Sequence, residues 1–456
     1  MKPLQLCRRG KTQMDQFLCF TLLIFLLPTT AFAQLRVGAG EAEFAATDEM
    51  IIGGGILPGR ARGPEGKLRA AAVVLDLAGS KPVAIVACDV LMLNRDLLDP
   101  VVADIEGNLG IPANNILINA THTHHSPSTC TVHGYKRDEA FCRNVQKGIA
   151  TAVKLAQANL AKATMHFRLG EESSVGQNSR LLLADNTIYW IGPRDDAVRP
   201  TGPFDSDLPV LSFRGADNRL IATIFNHSTH TIGAREAGKR SPGFYGLAAQ
   251  ELEADLGGRF IFLEGASGST HNLNLKAPEM ILRLKEAVQE ALAKSEGRPV
   301  TKLAAARRKF KFKIRHFDDQ KEDDAVSAYC RRRAPQSADG IVQVFRNQRN
   351  VLRPLQGQER STWVQAVVVG DVAWVGVPAE FFTNLGQEIK RRSPIRHTYV
   401  AELANDWIGY LPDKKAFELG GYQTWTGLHS FAAPGTGEAV VEEALAILRD
   451  LQTTSK

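Results

Sequence analysis

Apolar and polar positions recur with two different periods along this chain, and the pattern predicts strands interspersed with helices. Ala71–Leu77 and Val83–Val90 are short, β-branched apolar runs separated by Gly-Ser-Lys-Pro, which is typical of neighbouring strands joined by a turn. Further strands are predicted at Asn115–Asn119, Ala163–Gly170, Leu208–Phe213, Leu220–Phe225, Phe260–Glu264, Trp363–Val369 and Val372–Val377. Helices are predicted at Asp96–Leu109, Phe141–Ala161, Tyr245–Leu256, Pro278–Glu296 and Glu438–Leu451.

This mixture predicts an α/β fold in which mixed β-sheets are layered with helices as a single large catalytic domain. The chain has 456 residues, more than most single domains, so a compact subdomain within about residues 300–360 is an alternative. In that stretch, basic residues from Arg307 to Arg315 alternate with Phe310, Phe312 and Ile314. The alternation favours a strand with one charged, solvated face over an anion-binding patch.

The first 33 residues have the pattern of an export signal. Four basic residues between Lys2 and Lys11 precede an apolar run of 11 residues, Phe17–Leu27, and Ala31-Phe32-Ala33 resembles a cleavage site. Such a run is too short to cross a bilayer as a helix, which takes about 20 residues. We predict that residues 1–33 are a cleaved signal peptide, that the protein is secreted or periplasmic, and that no transmembrane segment remains after cleavage.

Charge and cysteine content narrow the choice of partners. Without residues 1–33, 51 Lys and Arg stand against 48 Asp and Glu, so the mature chain is near neutral and offers no electrostatic case for nucleic acid. Cys88, Cys130, Cys142 and Cys330 are too few for a disulfide scaffold, although an oxidising compartment would permit a bridge between Cys130 and Cys142. Stability must therefore come mainly from a hydrophobic core.

Two histidine clusters follow predicted strands. Thr121-His122-Thr123-His124-His125 comes directly after one strand, and Asn226-His227-Ser228-Thr229-His230 after another. In an extended chain, residues two apart face the same side, so His122 and His124 can converge while His125 points away. Imidazole is the commonest protein ligand for zinc. A single His-x-His pair is also common at surfaces and in cores, so the second cluster strengthens the indication of a metal site.

Two other polar side chains sit at comparable places. Glu380 follows a strand that stops at Pro378, and taken alone it would suit the first turn of a helix equally well. Tyr410, in Gly409-Tyr410-Leu411-Pro412, would ordinarily be a half-buried core aromatic. Neither residue indicates a metal site by itself; each becomes a candidate ligand only in combination with the histidines.

With these elements in order from Val37 to Tyr422, the chain resembles the catalytic domain of the neutral, non-lysosomal ceramidases, zinc amidases of sphingolipid metabolism. The Ala-Thr-His-Thr-His match is specific, and the Pro-x-Glu and Gly-Tyr-Leu-Pro matches are moderately so. The resemblance implies one Zn²⁺ per chain, held by the side chains of His122, His230, Glu380 and Tyr410. It also places His124 beside the metal as a catalytic or substrate-contacting group.

The resemblance extends less closely to other positions. Arg180, in Asn178-Ser179-Arg180, is a candidate oxyanion or substrate contact, and Tyr422 corresponds to a further active-site tyrosine or else is a loop aromatic. The largest departure is at the family's Gly-Asp-x-Ser-Pro element, where Ser269 replaces the Asp and His271 replaces the required Ser. An imidazole there could ligate metal, hydrogen-bond an oxyanion or shuttle a proton, which implies altered substrate or chemistry.

The resemblance implies an exported zinc-dependent hydrolase, residues 34–456, that cleaves a linear N-acyl amide bond by metal-activated water and lacks the family's C-terminal β-sandwich. His124, Tyr422, Arg180 and His271 are the candidate catalytic residues. An N-acylated small molecule or lipid is the expected substrate, and peripheral membrane contact is compatible with it. The alternatives are a zinc-dependent esterase or deacetylase acting on another acylated substrate, such as a glycan, and a catalytically decayed lipid- or glycan-binding protein.

Overall fold

The computed structural model describes residues 34–453, so the predicted signal peptide lies outside the described residues. The described residues form twenty strands and nine α-helices. The strands are β1 Leu35–Glu43, β2 Arg69–Leu77, β3 Val83–Cys88, β4 Ile116–Ala120, β5 Ala161–Lys162, β6 Thr164–Glu171, β7 Gln177–Asn178, β8 Leu181–Leu183, β9 Ala197–Pro200, β10 Asp207–Arg214, β11 Leu220–His227, β12 Arg259–Glu264, β13 Thr270–His271, β14 Glu296–Arg298, β15 Leu303–Lys313, β16 Glu359–Val369, β17 Val372–Gly376, β18 Glu380–Phe381, β19 His397–Ala401 and β20 Tyr410–Leu411. The helices are α1 Arg95–Leu109, α2 Glu139–Ala158, α3 Gly243–Leu256, α4 Ala277–Ala293, α5 Asp319–Arg333, α6 Ala338–Leu352, α7 Thr383–Arg392, α8 Lys414–Leu419 and α9 Thr436–Thr453.

Three larger sheets organise these strands. The first has the order β4-β3-β2-β1-β5, the second β12-β11-β10-β6-β14 and the third β15-β16-β17-β19. Each sheet is mainly antiparallel but ends in one parallel pair, which is β3 with β4, β11 with β12, or β17 with β19. The expected mixed sheets layered with helices are therefore confirmed.

One face of each sheet packs into a shared central core. Val73 and Ile85 come from the first sheet, Phe213 from the second and Trp374 from the third, all fully buried. The opposite faces are covered by helices: α1 and α2 on the first sheet, α3 and α4 on the second, and α5, α6, α7 and α9 on the third. Burial of both faces explains why so many strands read as continuous apolar runs.

The parallel pairs lie at the sheet edges, where asparagine side chains join one sheet to another. Asn226 Nδ2 donates to the carbonyls of Leu263, at 2.7 Å, and Val400, at 2.9 Å, which links the second and third sheets. Asn119, at the end of the first sheet, accepts from the backbone N–H of Glu264 at 3.0 Å and donates to the carbonyl of Glu402. The carboxyl ends of strands from all three sheets therefore gather in one place.

Residues 300–360 contain the largest differences from the predicted elements. The alternating basic segment is a strand as far as Lys313, as expected, since β15 pairs with β16 and Phe310 and Phe312 are buried. The expected solvated face is wrong for Arg315, which lies beyond the strand, is buried and donates to the Thr424 carbonyl. Helices α5 and α6 were not predicted, because α5 in particular is rich in charged residues and has no clear apolar period.

Within residues 34–453, no helix is long and apolar enough to cross a membrane. All four described cysteines are buried free thiols.

Candidate metal centre

The four side chains that the resemblance assigns to a metal come from the ends of strands in all three sheets. His122 follows β4 of the first sheet, and His230 follows β11 of the second. Glu380 comes after β17 of the third sheet and starts β18, which pairs in parallel with β20 so that Glu380 lies opposite Tyr410. Short strands thus fix the carboxylate and the phenol side by side.

The functional atoms of these four residues meet. His230 Nε2 lies 3.3 Å from Glu380 Oε2 and 3.0 Å from the Tyr410 hydroxyl, and His122 Nε2 lies 3.5 Å from Glu380 Oε2. The ring centroids of His122 and His230 are 4.5 Å apart. Two imidazoles, one carboxylate and one phenol therefore share a single small space in the interior.

Each of the two buried imidazoles is held through its other nitrogen. His122 Nδ1 lies 2.8 Å from the carbonyl oxygen of Leu91, and His230 Nδ1 lies 2.8 Å from that of Ser267. Since a carbonyl can only accept, each Nδ1 carries a proton and each Nε2 faces the centre. Metal-binding histidines are commonly oriented in this way.

The prediction of an extended backbone at His122 is wrong. Its φ is 60°, in the left-handed region that non-glycine residues seldom occupy. His124 Nε2 nevertheless lies 3.3 Å from His122 Nε2, so the two rings do converge, while His125 Nε2 accepts from the backbone N–H of Gly233. Such backbone strain is often concentrated at functional sites.

Glu380 is a buried carboxylate that lacks a cationic partner. Burial acts to raise its pKa, but His122 and His230 beside the carboxylate hold the pKa of Glu380 well below its usual range. Its Oε1 accepts from Trp407 Nε1 at 3.1 Å, and no Lys or Arg among residues 34–453 forms an ion pair with it. A carboxylate facing two imidazoles in this way suits a divalent cation, and zinc accepts this combination of nitrogen and oxygen donors.

His124 and His271 lie at the outer side of the same centre and are partly exposed. The ligand nitrogens of His122, His124 and His230 all lie within 4.8 Å of one another, so three imidazoles are a second possible donor set. His271 stacks on His230 with ring centroids 4.2 Å apart. Burial, followed by neighbouring histidines, lowers the pKa of both His124 and His271 well below its usual value, so both rings are neutral at neutral pH.

Tyr422 packs against Tyr410, and Arg180 forms hydrogen bonds with the loop that carries Tyr422. The Tyr422 ring meets Tyr410 edge-on at 5.7 Å between centroids, and it stacks on Trp190 at 4.5 Å. Arg180 is buried, and its guanidinium donates to the Gln423 side chain at 2.7 Å and to the Gly420 carbonyl at 2.6 Å. Burial lowers the pKa of Arg180 to about 10, so it stays charged while it holds the loop that carries Tyr422.

The sequence reasoning missed Glu402, a buried residue directly after β19. Its carboxylate accepts hydrogen bonds from the Ser267 N–H at 3.0 Å, the Ser267 hydroxyl at 2.7 Å and the Phe381 N–H at 2.7 Å. The Ser267 carbonyl orients His230, and Phe381 follows Glu380, so Glu402 ties two metal-facing side chains together. An acidic residue ending an apolar strand, as Glu380 does, was the available signal.

Other histidines lie in different surroundings. His227 is fully buried between the Tyr245 hydroxyl, at 2.5 Å, and the Glu172 carbonyl, at 2.8 Å. His133, which the sequence gives little reason to single out, lies 3.2 Å from the Tyr422 hydroxyl through its Nε2. Asp89 accepts from Thr121 beneath the first histidine cluster.

Comparison with solved structures agrees with this arrangement of sheets and helices. Neutral ceramidase from Pseudomonas aeruginosa superposes with a TM-score of 0.70 at 19% sequence identity, covering 92% of this chain and 75% of that chain. A ceramidase solved in complex with C2 gives a TM-score of 0.72 at 18% identity, covering 92% and 76%. No protein-family model and no curated protein matches the sequence. The resemblance is confirmed for the fold: this chain has the fold of the neutral ceramidases and spans about three quarters of their length.

Proposed function

We propose that this protein is an exported zinc-dependent hydrolase that cleaves an N-acyl amide bond by metal-activated water. The observation that carries the proposal is the convergence of two imidazoles, a carboxylate and a phenol, in which His230 lies within 3.3 Å of both Glu380 and Tyr410 and His122 lies 3.5 Å from Glu380. His122, His230, Glu380 and Tyr410 would hold one zinc ion. Zinc bound there would polarise an acyl carbonyl and lower the pKa of water from about 15.7 toward about 7.

The remaining side chains supply the proton transfers and charge stabilisation that amide cleavage needs. His124 is neutral, partly exposed and adjacent to His122, so it can carry a proton from the attacking water to the leaving amine. His271 is the alternative for this step. Tyr422 is favoured over Arg180 as the donor to the oxyanion, because the guanidinium already donates to Gln423 and Gly420.

Purified mature protein provides the direct test of this function. We expect about one zinc per chain by elemental analysis, and hydrolysis of a fluorescent ceramide or of another N-acyl substrate in a panel. Glu380→Gln, which removes the charge and little volume, should lose both zinc and hydrolysis. Hydrolysis that persists in metal-free Glu380→Gln protein would exclude the proposal, and zinc without any hydrolysis would favour a binding protein.

A second candidate, ester hydrolysis of a different acylated substrate such as a glycan, is favoured by the stacking of His271 on His230. The family has a serine at this position, so the imidazole changes the size and polarity of the space beside the centre. Matched amide and ester substrates with the same acyl chain separate the two candidates: a ceramidase-like enzyme cleaves the amide, whereas turnover of the ester alone would support the second candidate.

Export is proposed from the sequence of the first 33 residues. Expression of the full chain in a Gram-negative host should yield a periplasmic or secreted product whose N-terminus begins after Ala33. A product that keeps Met1 and stays in the cytoplasm would show that the segment is not a signal peptide.

A further inference from the structure

Three residues from distant parts of the chain form a chain of hydrogen bonds that ends at the Tyr422 hydroxyl. His133 belongs to the loop between β4 and α2, Gln348 to helix α6, and Tyr422 to the short helical turn after α8. His133 Nε2 lies 3.2 Å from the Tyr422 hydroxyl, and His133 Nδ1 lies 3.4 Å from Gln348 Nε2. His133 has a φ of 57°, so its ring is placed by a backbone conformation that is unusual for a side chain of this kind.

The direction of these hydrogen bonds follows from the orientation of the Gln348 side-chain amide. Gln348 Oε1 accepts from the backbone N–H of Leu428 at 2.6 Å, and an N–H can only donate, so the amide oxygen faces Leu428. The amide nitrogen therefore faces His133 and donates to Nδ1. In a neutral imidazole the other nitrogen then carries the proton, so His133 Nε2 must donate to the Tyr422 oxygen.

The charge state of the two rings agrees with this direction. Burial lowers the pKa of His133 to about 4, so its imidazole is neutral at neutral pH. A tyrosine ordinarily ionises only at about pH 10, so the Tyr422 hydroxyl keeps its proton at neutral pH. Within residues 34–453, His133 is the only hydrogen-bond partner of that hydroxyl. The proton of Tyr422 is thus left without an acceptor.

We propose that Gln348 and His133 are positioning residues that make the Tyr422 hydroxyl a dedicated hydrogen-bond donor to the substrate. Because His133 donates to the tyrosine oxygen, the single hydroxyl proton is directed away from His133, and the Tyr422 ring itself lies against Tyr410 of the candidate centre. A developing oxyanion is the acceptor that suits it. This inference rests on the proposed function, in which Tyr422 contacts the reacting acyl group.

The histidine tautomer is the most direct readout, and it needs no substrate. In nitrogen NMR spectra of ¹⁵N-histidine-labelled zinc-loaded protein, with His133 assigned by its loss in His133→Phe, we expect the proton on Nε2 and none on Nδ1. A proton on Nδ1 would overturn the proposal, because Nε2 would then accept the tyrosine proton. If no N-acyl substrate is hydrolysed, the proposed function fails, but this measurement still tests whether His133 donates to the Tyr422 oxygen.

Kinetics with the N-acyl substrate that the wild type hydrolyses provide the second test. His133→Phe should lower kcat at least about tenfold, within the range for weakening an oxyanion donor, and should leave KM nearly unchanged. Asn, which tolerates a left-handed backbone and offers an amide donor, should restore part of the rate in His133→Asn. Gln348→Met, a neutral change of similar size, should show a smaller loss of kcat.

A Tyr422→Phe background separates positioning from a general loss of structure. Without the tyrosine hydroxyl, His133→Phe and Gln348→Met should cause no further fall in kcat, since there is nothing left to orient. An equal loss of kcat in both backgrounds would contradict the proposal that Gln348 and His133 orient the Tyr422 hydroxyl. Should His133→Phe fail to fold, Gln348→Met in the two backgrounds carries the same comparison.

Discussion

The inner and outer histidines of the centre differ in how they are held. His122 and His230 are each only 1% exposed, and backbone carbonyls fix their Nδ1 atoms. His124 and His271 are partly exposed, and no carbonyl orients either ring among residues 34–453. The inner pair is therefore fixed in orientation, whereas the outer pair is less constrained and partly accessible to solvent.

The largest effect should come from the inner pair. His230→Ala removes the imidazole that touches both Glu380 and Tyr410, so we expect loss of bound zinc and of nearly all hydrolysis. Elemental analysis and the fluorescent substrate measure both quantities. His166→Ala, on an outer strand of the second sheet, is the control that should change neither. Stoichiometric zinc in folded His230→Ala protein would refute the assignment of this ligand.

An outer histidine should affect the rate and spare the metal. His124→Ala should retain zinc but lose about 10²- to 10⁴-fold in kcat, the range for removing a general acid or base. Zinc content and kcat are measured on the same preparation. Loss of zinc in this variant would instead place His124 among the ligands, as the three-imidazole donor set requires.

A smaller effect should come from Glu402, whose hydrogen bonds hold the backbone beside His230 and Glu380. Leucine has no accepting oxygen, so Glu402→Leu leaves the backbone N–H groups of Ser267 and Phe381 without their acceptor. We expect zinc affinity, measured by competition with a chelator, to fall about 10- to 100-fold.

Glu264→Leu is the matched control for Glu402→Leu. Glu264 is also a buried carboxyl at the end of an edge strand, but its side chain accepts from hydroxyl groups and from no backbone N–H in the described structure. Burial raises the pKa of both carboxyls well above the usual range. Equal zinc affinities in the two variants would show that Glu402 has no specific role in orienting the metal-facing side chains.

The smallest change is expected at His271, the outer residue that departs from the family. His271→Ser restores a hydroxyl at this position, so we expect zinc to be retained and kcat/KM for ceramide to rise roughly tenfold relative to the best alternative substrate. Paired assays with both substrates measure the ratio. An unchanged ratio would mean that the imidazole does not shape substrate choice.

The sequence predicted most of the strands that deliver the site, because apolar runs ending in histidine or glutamate are local signals. The predicted strand at Asn115–Asn119 is observed as Ile116–Ala120, and the one at Leu220–Phe225 extends to His227. The convergence of His122 and His124 was expected for the wrong reason, since a left-handed residue and not an extended chain brings the rings together.

Residues that depend on the meeting of three sheets could not be predicted in the same way. Asn119 and Asn226 join strands that are far apart in sequence, and the partners of Glu402 lie more than twenty residues from it. His133 resembles an ordinary loop residue until Gln348 and Tyr422 are placed beside it. Such contacts are set by tertiary packing and leave no periodic pattern in the chain.

X-ray absorption at the zinc edge of the purified, zinc-loaded protein tests the proposed metal centre most directly. We expect two imidazole nitrogens, with oxygen donors from Glu380 and Tyr410 completing the protein ligands, and a spectrum that is unchanged in His124→Ala. A signal from three imidazoles that changes to two in His124→Ala, or a protein that binds no zinc, would contradict the assignment of His122, His230, Glu380 and Tyr410.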